Sequence, residues 1–407
     1  MIKLLSLALS FAIIVMFSAC LKNEVTPHET QSDSVLLSYV KIANENYKDV
    51  LIDAKALQDA VNRFALNPSK TTLTQAKKAW LQARESYGTS EIFRLANGPI
   101  DAVEEGLNAW PLDENIIDYT IDAKGQKTSG NIIDSTGMFH PSGEESFAVD
   151  ITNISQETLS ALHENGGTAN ITTGYHAVEF LLWGQDQDYS NFLKDFITNG
   201  AMQAGNRPLS DFTTDANAKR RLAYLQAVSA KIVTDLSLVS SSWIDGDARN
   251  YRALLLAGDA KEALKTIYAA MGVFIKSELA NERIAVAVLT PSEEDEHSCF
   301  SDNTHRDIAT NYQGFKNVIM ATYKGAYYGT SPLDAMSIDA KAKLLHLMLK
   351  IENKIASIDT IAKTSRHFDY QIRPNDPQSR VILKLKNELR KLGDMMVIIA
   401  KQNGIRI

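Results

Sequence analysis

The long apolar stripe near the start of the chain most constrains what it can fold into. Apolar residues step by three and four positions without a break along Val40, Ala43, Tyr47, Val50, Ala54, Leu57, Val61 and Phe64. This spacing predicts a helix of about seven turns whose one apolar face must pack against other helices. Asn67-Pro68-Ser69 ends it, and the same step resumes from Leu73 to Tyr87. A short turn between two long striped helices predicts antiparallel neighbours in a bundle.

Helical stripes also dominate the rest of the chain. They recur from Leu222 to Leu236 and from Ile382 to Ile399, and no stretch shows sustained strand alternation. The 407 residues include 21 Gly and 10 Pro, fewer than an all-β protein needs for its turns. We therefore predict an all-α protein. Residues 122–151 are rich in Gly, Ser, Asp and Asn, and we expect a long irregular excursion there, within the first half.

The first twenty residues have the pattern of a targeting segment. Lys3 provides a positive start, and the apolar run from Leu4 to Phe17 is too short to cross a bilayer as a stable helix. Phe17-Ser18-Ala19-Cys20 then resembles a bacterial lipobox, although Leu is usual where Phe17 stands. We predict a signal peptide over 1–19, lipidation at Cys20 and a flexible tether over 20–34, so that acyl chains anchor the protein to a membrane. The alternative is an ordinary secretory leader with a chance Cys.

Charge and cysteine content exclude several classes of protein. The chain has 49 acidic and 42 basic residues, a net charge of −7 and no basic block, which argues against nucleic acid as a partner. Two cysteines cannot build a disulfide scaffold or a thiolate zinc site. We expect Cys299 to be a buried, inert thiol rather than a nucleophile.

The segment most suited to a functional site begins a helix after Gly174. His176 and Glu179 are three positions apart and therefore share a face of that helix. An imidazole nitrogen and a carboxylate suit iron, zinc or manganese, but two ligands leave a coordination sphere incomplete, so other helices must contribute. The alternative is a plain hydrogen bond between His176 and Glu179. Because a helix N-terminus favours carboxylates, Glu179 is expected to stay ionised.

A second dense segment runs from Glu293 to Asp307 and contains six acids and two histidines. We interpret residues 293–296 as a solvated acidic loop. His297, Asp302 and His305 are less easily explained as surface residues, since they lie beside Cys299 and Phe300. They are therefore candidate site residues.

The first half offers its own candidates for completing the site. Glu91 closes the second helix and is our first choice, and it lies three positions from Arg94, with which it could form a surface ion pair. Asp101 and Glu104 come next, because Asp101-Ala102-Val103-Glu104 echoes His176-Ala177-Val178-Glu179 and each is followed by a Trp. The echo indicates either two related halves or chance.

The sequence lacks the usual motifs of hydrolases. His163-Glu164 is followed by Asn165-Gly166-Gly167, which excludes an HExxH zinc-protease helix, and Phe180 after Glu179 excludes HxxEH. No GxSxG or P-loop motif is present. Residue patterns alone therefore indicate a partial metal site without a complete hydrolytic constellation.

The pattern as a whole resembles the imelysin-like family. The family hallmark GxHxxE is matched by Gly174, His176 and Glu179. Supporting matches are Trp80, Arg84, Tyr87, Glu91, Phe93 and Arg94, then residues 98–101, 294–305 and 368–372. The residues from 294 to 305 are similar to the iron-regulated branch of the family.

The resemblance implies two helical-bundle domains related by pseudo-symmetry, which we place at 35–165 and 166–407, with a site between them. It also implies an extracytoplasmic lipoprotein. The family was named for peptidases, yet many members are linked to iron uptake. We therefore expect a cell-envelope lipoprotein, with the outer membrane favoured, that faces the periplasm or the cell surface.

For the function, we expect this lipoprotein to bind a metal ion, iron favoured and zinc possible, or a small iron-bearing ligand, and to work with envelope transport proteins. One alternative is a metallopeptidase with Glu179 as general base and His176 on the metal. The other is a non-catalytic interaction scaffold.

Overall fold

The computed structural model describes residues 30–122, 124–186, 204–289 and 296–407. Helices contain 66% of these residues, so the all-α prediction is confirmed. The strands within the described ranges are two short antiparallel pairs, Met138–Phe139 with Val149–Asp150 and Thr322–Tyr323 with Ala326–Tyr327. The predicted signal peptide, the lipidation site at Cys20 and most of the tether lie outside the described residues.

Long helices alternate with short ones along the chain. The α-helices are α1 (Gln31–Leu66), α2 (Lys70–Ser90), α3 (Glu104–Asn108), α4 (Glu114–Ile117), α5 (Gln156–Leu162), α6 (Gly174–Trp183), α7 (Ala218–Ser241), α8 (Tyr251–Ala257), α9 (Ala260–Val273), α10 (Val286–Leu289), α11 (Thr304–Met320), α12 (Ile338–Thr364), α13 (Phe368–Ile372) and α14 (Pro377–Gln402). A π-helical segment, Phe274–Ala285, joins α9 to α10. Short 3₁₀ turns occupy Glu91–Phe93, Pro99–Ala102, Leu209–Phe212 and Pro332–Ala335.

The first two helices form as their sequence dictates. Thr30 and Asp33 make a reciprocal capping box at the start of α1, and Ser69 with Thr72 does the same for α2. All eight residues of the predicted stripe on α1 are buried, along α2 and α7. The periodicity therefore identified both the helix and the face that packs.

The irregular excursion is also present, since no helix occurs between α4 and α5 in the described residues 118–122 and 124–155. A buried cluster of charged residues connects the excursion to the helical core. The carboxylate of Asp118 lies 2.6 Å from a guanidinium nitrogen of Arg207 and 2.6 Å from one of Arg221. All three side chains are almost completely buried, so α7, which carries Arg221, anchors the excursion.

Buried apolar residues form one continuous cluster that extends from Val35 to Ile405. Helix α1 contacts α2, α7, α9 and α11, which lie on both sides of the predicted boundary near residue 165. The boundary falls in the turn-rich segment between α5 and α6, and the two-domain division stays a prediction. The echoed segments fold differently, because residues 99–108 form a 3₁₀ turn and α3 whereas 174–183 form the single helix α6.

Helix α7 is the one described helix long and apolar enough to span a membrane by length and composition, with half of its most apolar window buried. The core helix of a soluble protein passes the same test.

Three packing relationships position the candidate site. Helix α2 contacts α6 on one side and α11 on the other, α3 packs against the start of α6, and the π-helical segment packs against α11 and α14. The segment 296–303 leads into α11. The site therefore lies where elements distant in sequence converge.

A candidate metal centre with two histidine–carboxylate pairs

Gly174 allows α6 to begin in tight contact with α3. Its φ of +90° is favourable only for glycine, and a Cβ built there would lie 2.5 Å from the carbonyl oxygen of Leu107. The first turn of α6 therefore enters the protein interior. This places His176 and Glu179 away from solvent, at 1% and 0% exposure.

His176 and Glu179 form the first histidine–carboxylate pair. His176 Nδ1 lies 2.9 Å from Glu179 Oε2, while the backbone N–H and the hydroxyl of Ser301 donate to Glu179 Oε1 at 3.0 and 2.6 Å. The other imidazole nitrogen, His176 Nε2, is buried and has no hydrogen-bond partner among the described residues. A buried polar atom without a partner is costly, so His176 Nε2 is a candidate ligand atom.

The protonation of this pair differs from the expectation. Burial lowers the pKa of His176 well below its ordinary value, so the imidazole is neutral. Burial also raises the pKa of Glu179 to about 8, despite hydrogen bonds from Ser301. The prediction that Glu179 stays ionised was therefore wrong, because a helix N-terminus contributes only about 0.3–1 kcal/mol and complete burial outweighs it.

His297 and Asp307 form the second pair. His297 Nδ1 lies 2.7 Å from Asp307 Oδ2, which also accepts a hydrogen bond from the Ser298 hydroxyl. Arg84 donates to the other oxygen of Asp307 at 3.1 Å. Burial by itself would raise the pKa of Asp307, but Arg84 and His297 hold it far below its ordinary value. Asp307 is therefore a permanent carboxylate, unlike Glu179.

The two imidazoles are neighbours. Their ring centroids lie 4.7 Å apart with the planes at 76°, and the pKa of His297 is lowered by burial, as is that of His176. Histidines that ligate metals commonly bond a carboxylate through the other ring nitrogen, which fixes the tautomer and the ring orientation. Both histidines here have an acidic side chain at Nδ1, Glu179 for His176 and Asp307 for His297.

Glu91 belongs to the same buried network but has other partners. Its Oε2 accepts from Arg283 at 2.6 Å and from Asn311 at 3.2 Å, and its Oε1 accepts from Asn108 at 3.1 Å. Glu91 is 1% exposed, so it does not form the surface ion pair with Arg94 that its spacing allowed. Both carboxylate oxygens of our first-choice metal partner are already engaged.

Arg94 instead contributes to a charged cavity of about 340 Å³ beside His297. It pairs with Glu104 at 2.9 Å and with Glu278 at 3.3 Å. Arg283 also lines the cavity, as does Trp110, whose ring packs edge-on against His297. Charges of both signs therefore surround a space that reaches the second histidine.

The remaining predicted site residues lie elsewhere. Asp101 accepts hydrogen bonds from the backbone N–H groups of residues 95 and 98 and closes that loop. Asp302 lies in a separate group of buried carboxylates. His305 Nε2 lies 3.7 Å from Asp359, and its Nδ1 contacts the backbone oxygen of Asp302. The structure thus brings His297, Glu104 and Arg94 to the region of His176 and Glu179. It does not bring Asp101, Asp302 or His305 there.

Sequence reasoning missed several members of the network. Ser301 was part of the family-like segment 294–305 without a role of its own, and Arg283 and Asn108 received no role. Arg283 left a signal, because it falls among the buried apolar residues of Phe274–Ala285, where a surface arginine is not expected.

The prediction of a solvated loop was wrong for Glu296, which is 0% exposed, while residues 293–295 lie outside the described residues. Cys299 is buried as expected, and burial raises the pKa of its thiol.

Fold and site together define a class: an all-helical protein whose interior holds two histidine–carboxylate pairs beside a charged cavity. The family model for imelysin matches residues 43–396, and the chain belongs to the imelysin family. No protein with a curated description matches it.

Solved structures that share the fold include two bacterial proteins. One is described as an iron-regulated protein A precursor from Parabacteroides distasonis; it is 18% identical, with a TM-score of 0.64, and the match covers 93% of this chain and 97% of that one. The other is an imelysin-like protein from Psychrobacter arcticus; it is 11% identical, with a TM-score of 0.58 and coverage of 92% and 96%. At these identities the likeness shows the fold alone.

Proposed function

We propose that this imelysin-family protein binds a metal ion, iron favoured, through the imidazole of His176 and serves iron uptake at the cell envelope. The observation that carries this is the buried Nε2 of His176, which has no partner among the described residues while Nδ1 is held by Glu179. A neutral imidazole with a carboxylate on its far nitrogen is the form in which histidine binds metals.

The residues present fit a metal ion. His176 supplies the lone pair of its buried Nε2, Glu179 orients the ring, and His297 offers a second neutral imidazole similarly held by Asp307. Imidazole and carboxylate donors suit iron and zinc. A bound ion would supply positive charge near Glu179, whose hydrogen-bond partners among the described residues, His176 and Ser301, are neutral.

The cavity beside His297 provides room for a ligand that carries the ion. Its volume of about 340 Å³ lies at the lower end of small-molecule sites. Arg94 and Arg283 would contact acidic groups of such a ligand, and Glu104 and Glu278 would contact basic or hydroxyl groups. The cavity would therefore accommodate an iron-bearing small molecule as well as the bare ion.

The cellular setting belongs to the same proposal. The lipobox-like segment ending at Cys20 supports an acyl anchor in the outer membrane, facing the periplasm or the cell surface. The description of the Parabacteroides protein as iron-regulated supports iron over zinc. Delivery to envelope transport proteins would follow from that location.

The test measures metal binding by residues 21–407, the predicted mature chain without its lipidated Cys20. Isothermal titration with Fe(II), Fe(III) and Zn(II) is performed on the parent and on His176→Gln, which keeps much of the buried volume. We expect one tight metal site in the parent and at least a tenfold weaker one in His176→Gln. His346→Gln is the matched control, because His346 is exposed on α12.

The alternatives give different results. A metallopeptidase would cleave a peptide library in the presence of metal and lose that activity in Glu179→Gln. A scaffold would bind no metal, and His176→Gln would lower the melting temperature without any effect on titration. Equal metal affinity in His176→Gln and the parent would overturn the proposed site.

A further inference from the structure

Two long helices near the end of the chain carry a charge opposite to that of the whole protein. Helices α12 and α14 together contain eleven Lys and Arg residues against five Asp and Glu residues, a net charge of +6 in a chain of net charge −7. Their exposed acids are Asp339 and Asp394, and Asp394 pairs with Lys276 at 2.6 Å. Four of their exposed lysines have no ion pair with another residue of the described ranges, namely Lys343, Lys350, Lys384 and Lys391.

Helices α12 and α14 pack side by side in opposite directions. The backbone N–H of Ser337, at the start of α12, donates to Gln402, at the end of α14, at 3.0 Å. Further along, Lys354 of α12 forms an ion pair with Glu388 of α14 at 2.7 Å. The contacts occur in reverse order along the two helices, so the helices are antiparallel.

This antiparallel arrangement places the exposed lysines in two rows. Lys350 precedes the ion pair by about one turn of α12. Lys391 follows it by about one turn of α14, so the two lysines lie at about the same level on either side of the groove between the helices. Lys343 and Lys384 lie seven positions before them in the sequence, on the same helix faces. The outer sides of α12 and α14, here called the α12–α14 face, are therefore strongly basic.

Exposed apolar side chains accompany these lysines. Leu349, next to Lys350, is 54% exposed, and Ile398, seven positions after Lys391, is 44% exposed. Ile338, in the first turn of α12, is 88% exposed. The opposite side of each helix is buried in the apolar core. Exposed leucine and isoleucine among lysines are typical of helices that lie in the headgroup region of a bilayer.

The first described residues lie close to one end of this face. Ser38, near the start of α1, adjoins Gly329, because a Cβ built on Gly329 would lie 2.6 Å from the serine Oγ. Asn403, directly after α14, donates to the carbonyl of Pro332 at 2.9 Å. The start of α1 is therefore near the point where α12 begins and α14 ends. Cys20 precedes the first described residue by ten positions, which span at most about 35 Å.

We propose that the α12–α14 face docks on the surface of an anionic phospholipid bilayer. The four unpaired lysines would be attracted by lipid phosphates, and such attraction accumulates along a cluster of basic residues. The exposed apolar side chains would enter the headgroup region. An acyl chain on Cys20 would hold the protein within reach of the bilayer but leave its orientation free, and this contact would fix the orientation. The anchor belongs to the proposed function, whereas the charge of the face does not depend on it.

The first experiment measures co-sedimentation of residues 21–407 with lipid vesicles, so that no acyl chain contributes. At low salt we expect binding to vesicles of mixed phosphatidylglycerol and phosphatidylcholine, and at least tenfold weaker binding to phosphatidylcholine alone. Binding should disappear near 1 M NaCl, where the Debye length is about 3 Å. A face that instead serves an acidic protein partner would leave the chain off anionic vesicles. That result, or equal binding to both kinds of vesicle, would overturn the proposal.

A double variant locates the contact on the protein. Lys350→Glu combined with Lys391→Glu reverses two exposed charges and should weaken binding to anionic vesicles at least tenfold. The matched control combines Lys55→Glu with Lys78→Glu, at exposed positions on α1 and α2, and changes the net charge by the same amount. Its binding should stay within about threefold of the parent, because charges far from the contact are screened.

Two further measurements separate this proposal from other effects. Both double variants should keep the melting temperature of the parent, since all four lysines are exposed. His176→Gln should bind anionic vesicles as the parent does, so a failure of the proposed metal site would leave this result unchanged. Equal losses of binding in the two double variants contradict docking through the α12–α14 face, as does parent-like binding when Lys350 and Lys391 are both reversed.

Discussion

Ser301 donates both its backbone N–H and its hydroxyl to a single oxygen of Glu179, a residue 122 positions earlier in the chain. This double contact ties the segment before α11 to the first turns of α6. It leaves the other oxygen of Glu179 for His176. The orientation of the histidine therefore depends on a serine in a distant part of the sequence.

Replacing Ser301 by alanine should loosen this arrangement without unfolding the protein. The hydroxyl bond is lost while the N–H bond remains, so the free energy of unfolding should fall by about 1–2 kcal/mol. Metal affinity should fall about tenfold, as is usual when a group that orients a ligand is removed. Urea denaturation and calorimetric titration measure the two effects. Ser241→Ala, which removes a hydroxyl bonded only within its own helix, should change neither.

Gly174→Ala should be severely destabilising. The new Cβ would have to adopt a φ of +90° and approach the Leu107 carbonyl oxygen to 2.5 Å, and we expect a loss of about 2–4 kcal/mol. Gly130→Ala separates the cost of the positive φ from the cost of the close contact. Gly130 also has a φ of +90°, but a Cβ built there would have no neighbour within 4 Å. It should lose only about 1–2 kcal/mol. Equal losses in the two variants, measured by urea denaturation, would contradict the close packing of α6 on α3.

Trp80→Ala should cost roughly 3–5 kcal/mol, as for other fully buried aromatic residues. Trp80 is 0% exposed, packs edge-on against Trp183 and donates its indole N–H to the Tyr175 carbonyl at 2.9 Å. Its removal leaves a cavity between α2 and α6. Thermal melts should show a large decrease, whereas Leu66→Ala, at a position 85% exposed, should leave the melting temperature nearly unchanged. A small effect at Trp80 would place it outside the core.

Acid should destabilise the protein through Asp118. Burial alone would raise the pKa of this carboxyl, but Arg221 and Arg207 hold it below 3.8. Because the folded-state pKa is the lower one, the unfolded chain binds the proton more readily. The stabilisation is present above about pH 4 and is lost as the pH falls through the lowered value.

The matching variant is Asp118→Asn. It should lose about 3–5 kcal/mol at pH 7, because two buried arginines lose their carboxylate partner. Its stability should also depend less on pH than that of the parent below pH 4. Urea denaturation across this range tests both points, and an Asp118→Asn variant as stable as the parent would disprove the role of the cluster.

The sequence by itself determined the helices and the helical face that His176 and Glu179 share. These depend on residues three or four positions apart, so the stripe from Val40 to Phe64 and the single face shared by His176 and Glu179 follow from helical geometry. The glycine before them was also visible as part of the motif. Its packing against Leu107 was not, because that contact joins two separate elements.

Only the tertiary structure decided the partners and the charges of the site. Glu91 and Arg94 have a spacing that allows an ion pair, yet Glu91 pairs with Arg283, 192 positions away, and Arg94 pairs with Glu104 and Glu278. Glu179 and Glu296 were expected to be ionised or solvated, and both are completely buried. Helical spacing acts over a few residues, whereas burial depends on every element packed around a group, so the protonation of these acids is set by the assembled fold.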